Sequence, residues 1–204
     1  MRDLAVYCAD VGSVENQRFG WARGLWAPNA VELTHGSEAI TELVEELNVD
    51  LQSGRPVALG FECPLFVPVR DNPNELTWGR EGEGSPAWSS NVGATVLATG
   101  LAQTVWILNR VRQSGVSAFL DWPDFGDAGT GLFLWEAFIA ADAKGDHLQD
   151  AVTGVSLLAE RVSVGVESVV LERPVHSLIG AALLRTGWSK DLSLLHTPCV
   201  VLKA

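Results

Sequence analysis

Two apolar runs in this chain each end on a carboxylic acid. Leu4-Ala5-Val6-Tyr7-Cys8-Ala9 runs into Asp10, and Pro56-Val57-Ala58-Leu59-Gly60-Phe61 runs into Glu62. If the two runs are neighbouring parallel strands, both carboxylates project from one edge of a sheet. Open α/β sheets carry their sites at the carboxyl ends of strands. Carboxylates brought together repel one another and favour a divalent, oxygen-seeking cation such as Mg²⁺ or Mn²⁺. Two such ions about 4 Å apart activate a water and stabilise the leaving oxygen of a phosphodiester. The plainer alternative is that each acid is a solvated strand terminus, because acids commonly flank buried strands.

The rest of the chain must supply the scaffold for those two acids. Phe19 to Trp26 follows the first run closely, as a hairpin partner would, and Val31-Glu32-Leu33-Thr34 suits a short third strand. Ser37 is expected to cap a helix in which Ile40, Leu43, Val44, Leu47 and Leu51 share a face, with Gly54 as its stop. The 56–61 run is apolar throughout, as a strand covered on both faces would be. Residues 64–91, rich in Pro, Gly and Ser, predict a long loop or lid insertion beside Glu62. Val92 to Gln113 predicts a long apolar helix. Val116 to Leu120 ends on Asp121, and Gly131 to Trp135 ends on Glu136. A helix over 146–162, a strand over Ser168 to Leu171, a helix from Pro174 to Arg185 and a strand over Cys199 to Leu202 complete the expectation. Strands that first meander and then alternate with helices predict a mixed sheet flanked by helices.

Composition narrows the function classes. The 204 residues are 47% hydrophobic and carry 14 Lys+Arg against 25 Asp+Glu, a formal charge of −11. That length suits one domain over 1–204, with a sizeable core. Cys8, Cys63 and Cys199 are odd in number and lie in apolar runs, which predicts reduced core thiols and a cytoplasmic location. No stretch is expected to span a membrane, and the first residues lead into a strand-like run and not a signal peptide. The acidity weighs against nucleic acid as a partner, since phosphate contacts need clustered Lys and Arg.

Several short motifs together resemble a family of ribonuclease H-like proteins. They are Ala9-Asp10-Val11-Gly12-Ser13 with Phe19-Gly20-Trp21-Ala22, Val57 through Leu65, Leu134-Trp135-Glu136-Ala137-Phe138, and Gly145 through Ala151. The resemblance covers residues 4 to about 162. It departs at Glu62, where that family usually carries Asp, and after Glu136, where the family's His-Pro pair is missing. It implies an α/β ribonuclease H-like domain: a five-stranded mixed sheet, helices on both faces, and C-terminal additions. It also implies metal-dependent phosphodiester hydrolysis, nuclease-like, with Mg²⁺ or Mn²⁺ held by Asp10, Glu62 and either Asp150 or Asp146. Glu136 would stand near the same edge as a further catalytic acid. Asp146 and Asp150 are one helical turn apart, so both can face the site. His147 beside them would shuttle a proton or simply sit on the surface. The competing reading is a catalytically degenerate domain that binds a small ligand or a protein partner.

Other chemistries fit less well. Asp10-x-Gly12-Ser13 also matches the phosphate turn of actin-like ATPases and sugar kinases, but there is room for one lobe only and no Walker A sequence. The four histidines lack zinc spacing, and neither Cys-x-x-Cys nor Gly-x-Ser-x-Gly occurs. In the 64–91 loop, Arg70, Arg80, Trp78 and Trp88 would either stack bases and grip phosphates or pack as a lid.

Overall fold

A computed structural model describes residues 3–27, 30–139 and 145–204. In chain order the elements are β1 (Ala5–Asp10), β2 (Gly20–Ala27), β3 (Ala30–Ser37), α1 (Ile40–Gln52), β4 (Val57–Phe61), β5 (Phe66–Pro68) and α2 (Asn91–Val111). There follow β6 (Ala118–Phe119), α3 (Trp122–Ala128), β7 (Leu132–Phe138), α4 (His147–Val164), β8 (Val175–Ser177), α5 (Leu178–Thr186) and β9 (Val200–Lys203).

The main sheet is mixed. β1 pairs antiparallel with β2 and β2 with β3, while β1, β4 and β7 run parallel side by side. Five strands were expected, and seven are present among the described residues. The excess lies along the outer edge of β7, where β6 pairs with Leu132 and Phe133 while β9 takes Trp135 to Phe138. Two short apolar runs thus share one strand position. β5 and β8 form a separate antiparallel pair.

Side-chain alternation divides the core into two layers. Ala5, Tyr7, Ala9, Val57, Leu59 and Phe61 face one way, against α1, α2 and α5 through Leu43, Leu47, Ile107, Leu108, Ile179 and Leu183. Val6, Cys8, Ala58, Phe133 and Trp135 face the other way, against α3 and α4 through Phe125, Ala151, Val155 and Leu158. The expected helices on both faces are therefore present.

Local expectations needed correction in three places. Ser37 ends β3, and its hydroxyl accepts from the Ala39 N–H at 3.1 Å while Ala39 itself is the N-cap of α1. The 168–171 segment is not a strand, although Val169 N–H bonds Val201 O and Leu171 N–H bonds Glu81 O. The predicted 174–185 helix begins as β8, and its Ser177 then caps α5 by accepting from Gly180 N–H. Separately, α2 is long and apolar enough, by length and composition only, to cross a membrane. Its Ile107, Leu108 and Val111 are fully buried against the sheet, which accounts for part of that character. The three cysteines are buried and unbridged, as the sequence suggested.

Candidate metal centre at the sheet edge

Asp10 closes β1, and Glu62 is the first residue beyond β4. The parallel register pairs Cys8 with Gly60 and Ala9 with Phe61, so Asp10 and Glu62 stand opposite each other one step further on. Glu62 N–H continues the ladder onto Ala9 O at 2.8 Å. By alternation both side chains belong to the face that α4 covers.

α4 supplies the third acid. It can lie this close because the facing positions lack side chains. A Cβ at Gly154 would meet the Cys8 sulfur at 2.3 Å, and one at Gly20 would meet the His147 carbonyl at 2.5 Å. Asp150, in the first turn of α4, thereby reaches the edge. One carboxylate oxygen each from Asp10, Glu62 and Asp150 lie within 4.8 Å of one another. The three acids are 4%, 7% and 3% exposed. Asp150 also accepts the Gly145 N–H at 2.6 Å, and the positive end of α4 favours an acid at that position. His147 Nδ1 contacts Asp10 Oδ2, and its ring is 40% exposed.

The negative character of the site registers on its neighbour. Burial pushes the Cys8 thiol well above its ordinary range, and Glu62, Asp10 and Asp150 push it the same way.

The other two sequence candidates are placed elsewhere. Asp146 is exposed and caps α4, its side chain accepting from Gln149 N–H at 2.8 Å. Being the N-cap turns it away from the face its neighbour one turn on occupies. Glu136 stands opposite Phe61 in the β4–β7 register, which puts it on the other face of the sheet from Asp10 and Glu62. There it binds Arg80 with both oxygens, at 2.5 and 2.8 Å, and accepts Leu65 N–H at 2.9 Å. Arg80 also holds Glu83 at 2.7 and 3.0 Å, with no exposure of its own side chain. Burial alone would lower the Arg80 pKa, but Glu136 and Glu83 outweigh it and hold the guanidinium above its usual range.

The 64–91 segment consequently runs over the edge as a pinned structure. Arg80 ties it to β7, and Arg70 ties it to Glu172, whose second oxygen takes Arg70 Nη2 at 2.7 Å and Glu81 N–H at 2.9 Å. Trp88 donates its indole N–H to Trp78 O at 2.9 Å. Both arginines turn inward to carboxylates, so the phosphate-gripping alternative finds no support in them.

Sequence reasoning missed the Arg80 partnership and the His147 contact with Asp10. The Arg80–Glu136 pair gave no signal, because its members lie 56 residues apart in sequence. The opposite orientation of Glu136 was in principle countable, since it depends only on strand register. Comparison with known proteins adds no further guide: no family model, curated protein or solved structure matches the chain.

Proposed function

We propose that this chain is a metal-dependent phosphodiester hydrolase of the ribonuclease H-like kind. The observation that carries the reading is the convergence of three buried carboxylates from three separate elements. A donor set of carboxylate oxygens fits Mg²⁺ or Mn²⁺. The sheet supports the reading as well, with β3-β2-β1-β4-β7 as its five-strand centre, and β6 and β9 as additions.

A divalent cation at these acids would supply Lewis acidity and neutralise charge on the phosphate. Asp10, Glu62 and Asp150 would hold it, and His147 would keep the Asp10 carboxylate in place. In the reaction a water oxygen bonds to phosphorus and one P–O ester bond breaks. The alcohol departs with one of the water's protons, leaving a phosphomonoester. Arg80 and Glu136 take no part in this. They fix the loop beside the site.

One observation favours the second reading, a domain that binds a small ligand without catalysis. The cleft adjoining Glu62 is lined chiefly by apolar side chains, with no Lys or Arg among the described residues of its wall. Thermal melting of wild type and Asp10→Asn with and without Mn²⁺, alongside hydrolysis of bis(p-nitrophenyl) phosphate and of single- and double-stranded nucleic acid, separates the two. A Mn²⁺-dependent rise in the wild type alone, together with turnover, is the expected result. Equal shifts in both proteins, or none, remove Asp10 from any metal site, and a shift without turnover leaves the binding reading.

A further inference from the structure

A groove of about 480 Å³ lies between the start of α3, the 166–173 segment and the residues that lead into β9. Ligand sites usually enclose about 300–1,000 Å³. The groove shares no residue with the carboxylate cluster. Buried Leu120, Val166, Val170 and Cys199 give it an apolar lining.

Two features of the 166–173 segment define the ligand. The first is its backbone. Val169 N–H bonds Val201 O at 2.9 Å, and Leu171 N–H bonds Glu81 O at 3.0 Å. The N–H groups that alternate with these, of Val170 and Glu172, meet no acceptor among the described residues, although the two residues are only 5% and 4% exposed. A buried N–H needs an acceptor. Alternate donors along a segment form the edge to which a second extended chain adds. The second feature is charge. Of the four charged side chains on the wall, two already have partners. Asp121 caps α3 by accepting Asp124 N–H, and Glu172 is held by Arg70 and Glu81 N–H. Glu167 and Arg173, towards the two ends of the segment, are exposed and make no ion pair among the described residues.

We propose that this groove binds a short, extended peptide with apolar side chains and free ends. The peptide runs parallel to the segment. Its carbonyls accept from Val170 and Glu172, and its alternate side chains turn to the apolar lining. Its ammonium end lies by Glu167 and its carboxylate end by Arg173. A tripeptide, about 10 Å long, has room in the groove. The segment is also held ready, because Ser168 Oγ accepts Val201 N–H at 3.1 Å and Arg70 anchors Glu172, and such preorganisation lowers the cost of binding. A longer chain passing through would bring no end charges and would leave Glu167 and Arg173 unmatched.

The test is calorimetric titration with Leu-Ala-Leu, its N-acetyl form and its C-terminal amide, without divalent cations, so the result is independent of the hydrolase reading. The free tripeptide should bind most tightly, and either cap should weaken it about fivefold, the worth of an exposed ion pair. Arg173→Gln should weaken the free and acetylated peptides while leaving the amide unaffected. Glu167→Gln should weaken the free peptide and the amide while sparing the acetylated form. Both side chains are exposed, so neither substitution should disturb folding. Gly-Gly-Gly, which has the ends and carbonyls without the side chains, should bind more weakly than Leu-Ala-Leu. No binding of Leu-Ala-Leu, equal affinities for its three forms, or losses in the two variants that ignore the caps would each overturn the inference.

Discussion

Two groups of buried acids lie at the same edge of the sheet, on opposite faces of it. Around Arg80, the carboxylates of Glu83 and Glu136 meet a guanidinium from the same chain, at distances of 2.5–3.0 Å. Around Asp10, three acids from β1, the end of β4 and α4 face one another within 4.8 Å. The first arrangement is complete within the fold, with its positive charge built in. The second gathers three carboxylates, whose mutual repulsion a divalent cation would relieve. A buried acid at a strand end is therefore not by itself a sign of chemistry. What separates the two groups is how many carboxylates face one another, two clasped around the Arg80 guanidinium against three gathered within 4.8 Å, and strand register decides which acid joins which group.

The largest expected effect comes from breaking the first group. Arg80→Ala leaves Glu83 and Glu136 buried together, and breaking a buried ion pair from one side costs about 3–5 kcal/mol. Urea denaturation of the variant measures it. The loop that Arg80 anchors should also become accessible to protease. A loss below about 1 kcal/mol would mean that the guanidinium does not compensate these acids, and the contrast between the groups would dissolve.

Next in size is Gly154→Ala. The added Cβ would need to share space with the Cys8 sulfur, 2.3 Å away, so α4 must shift outward. Overpacking of this kind costs about 1–3 kcal/mol. Because α4 carries Asp150, the same variant should weaken Mn²⁺ binding, read as a smaller melting shift at fixed Mn²⁺. Destabilisation with an unchanged Mn²⁺ response would separate α4 placement from the metal centre.

These two substitutions mark what was legible beforehand and what was not. Asp10 and Glu62 were readable as a pair because each ends an apolar run, and a matched parallel register carries that coincidence into space. Asp150 was less sharply defined: with Asp146 one turn away, the sequence offered two acids for one place. The N-cap role of Asp146 resolved the choice, through its bond to Gln149 N–H. The family resemblance places Glu136 with Asp10, but one step of register moves it to the opposite face. The pairing of Arg80 with Glu136 and the cleft were not legible, because both depend on how the 64–91 segment folds back over β7. In the fold, long periodic stretches such as α1 and α4 fell where expected. Two shorter pieces did not, since in β8 and the 168–171 segment tertiary pairing outweighs local pattern.

A smaller effect probes the second group from within. Asp150→Asn keeps an oxygen for Gly145 N–H while removing one of the three charges. In chelator the variant should therefore gain stability. A relief of ~1 kcal/mol corresponds to about 2–4 °C at this chain length. With Mn²⁺ present the order should reverse, because the wild type alone gains binding energy. A variant that melts lower than wild type in chelator would show that the three carboxylates are not mutually repulsive, leaving no electrostatic reason to place a cation there.

The smallest effect tests whether the built-in compensation of the first group extends along the same loop. Arg70 and Glu172 form a second carboxylate–guanidinium pair there, less enclosed on the arginine side. The hydrogen bond from Arg70 holds the Glu172 carboxyl below its ordinary range, against the burial that would raise it, and the Glu81 N–H acts in the same direction as Arg70. A carboxyl with a depressed folded-state pKa contributes stability that is fully present above its unfolded value, about 4.3. That stability is lost as pH falls below the unfolded value and through the lower folded one. Glu172→Gln removes the titration, so the wild type should be the more stable protein at pH 7, and the gap should close as pH falls below about 4. Melting curves of both proteins from pH 7 down to pH 3 read this directly. Arg70 is partly exposed, so water screens the pair and the gap at pH 7 should be under about 1 kcal/mol. A gap that stays constant over that range would mean that Glu172 is held by packing and not by charge, and the compensation would then be confined to the acids around Arg80.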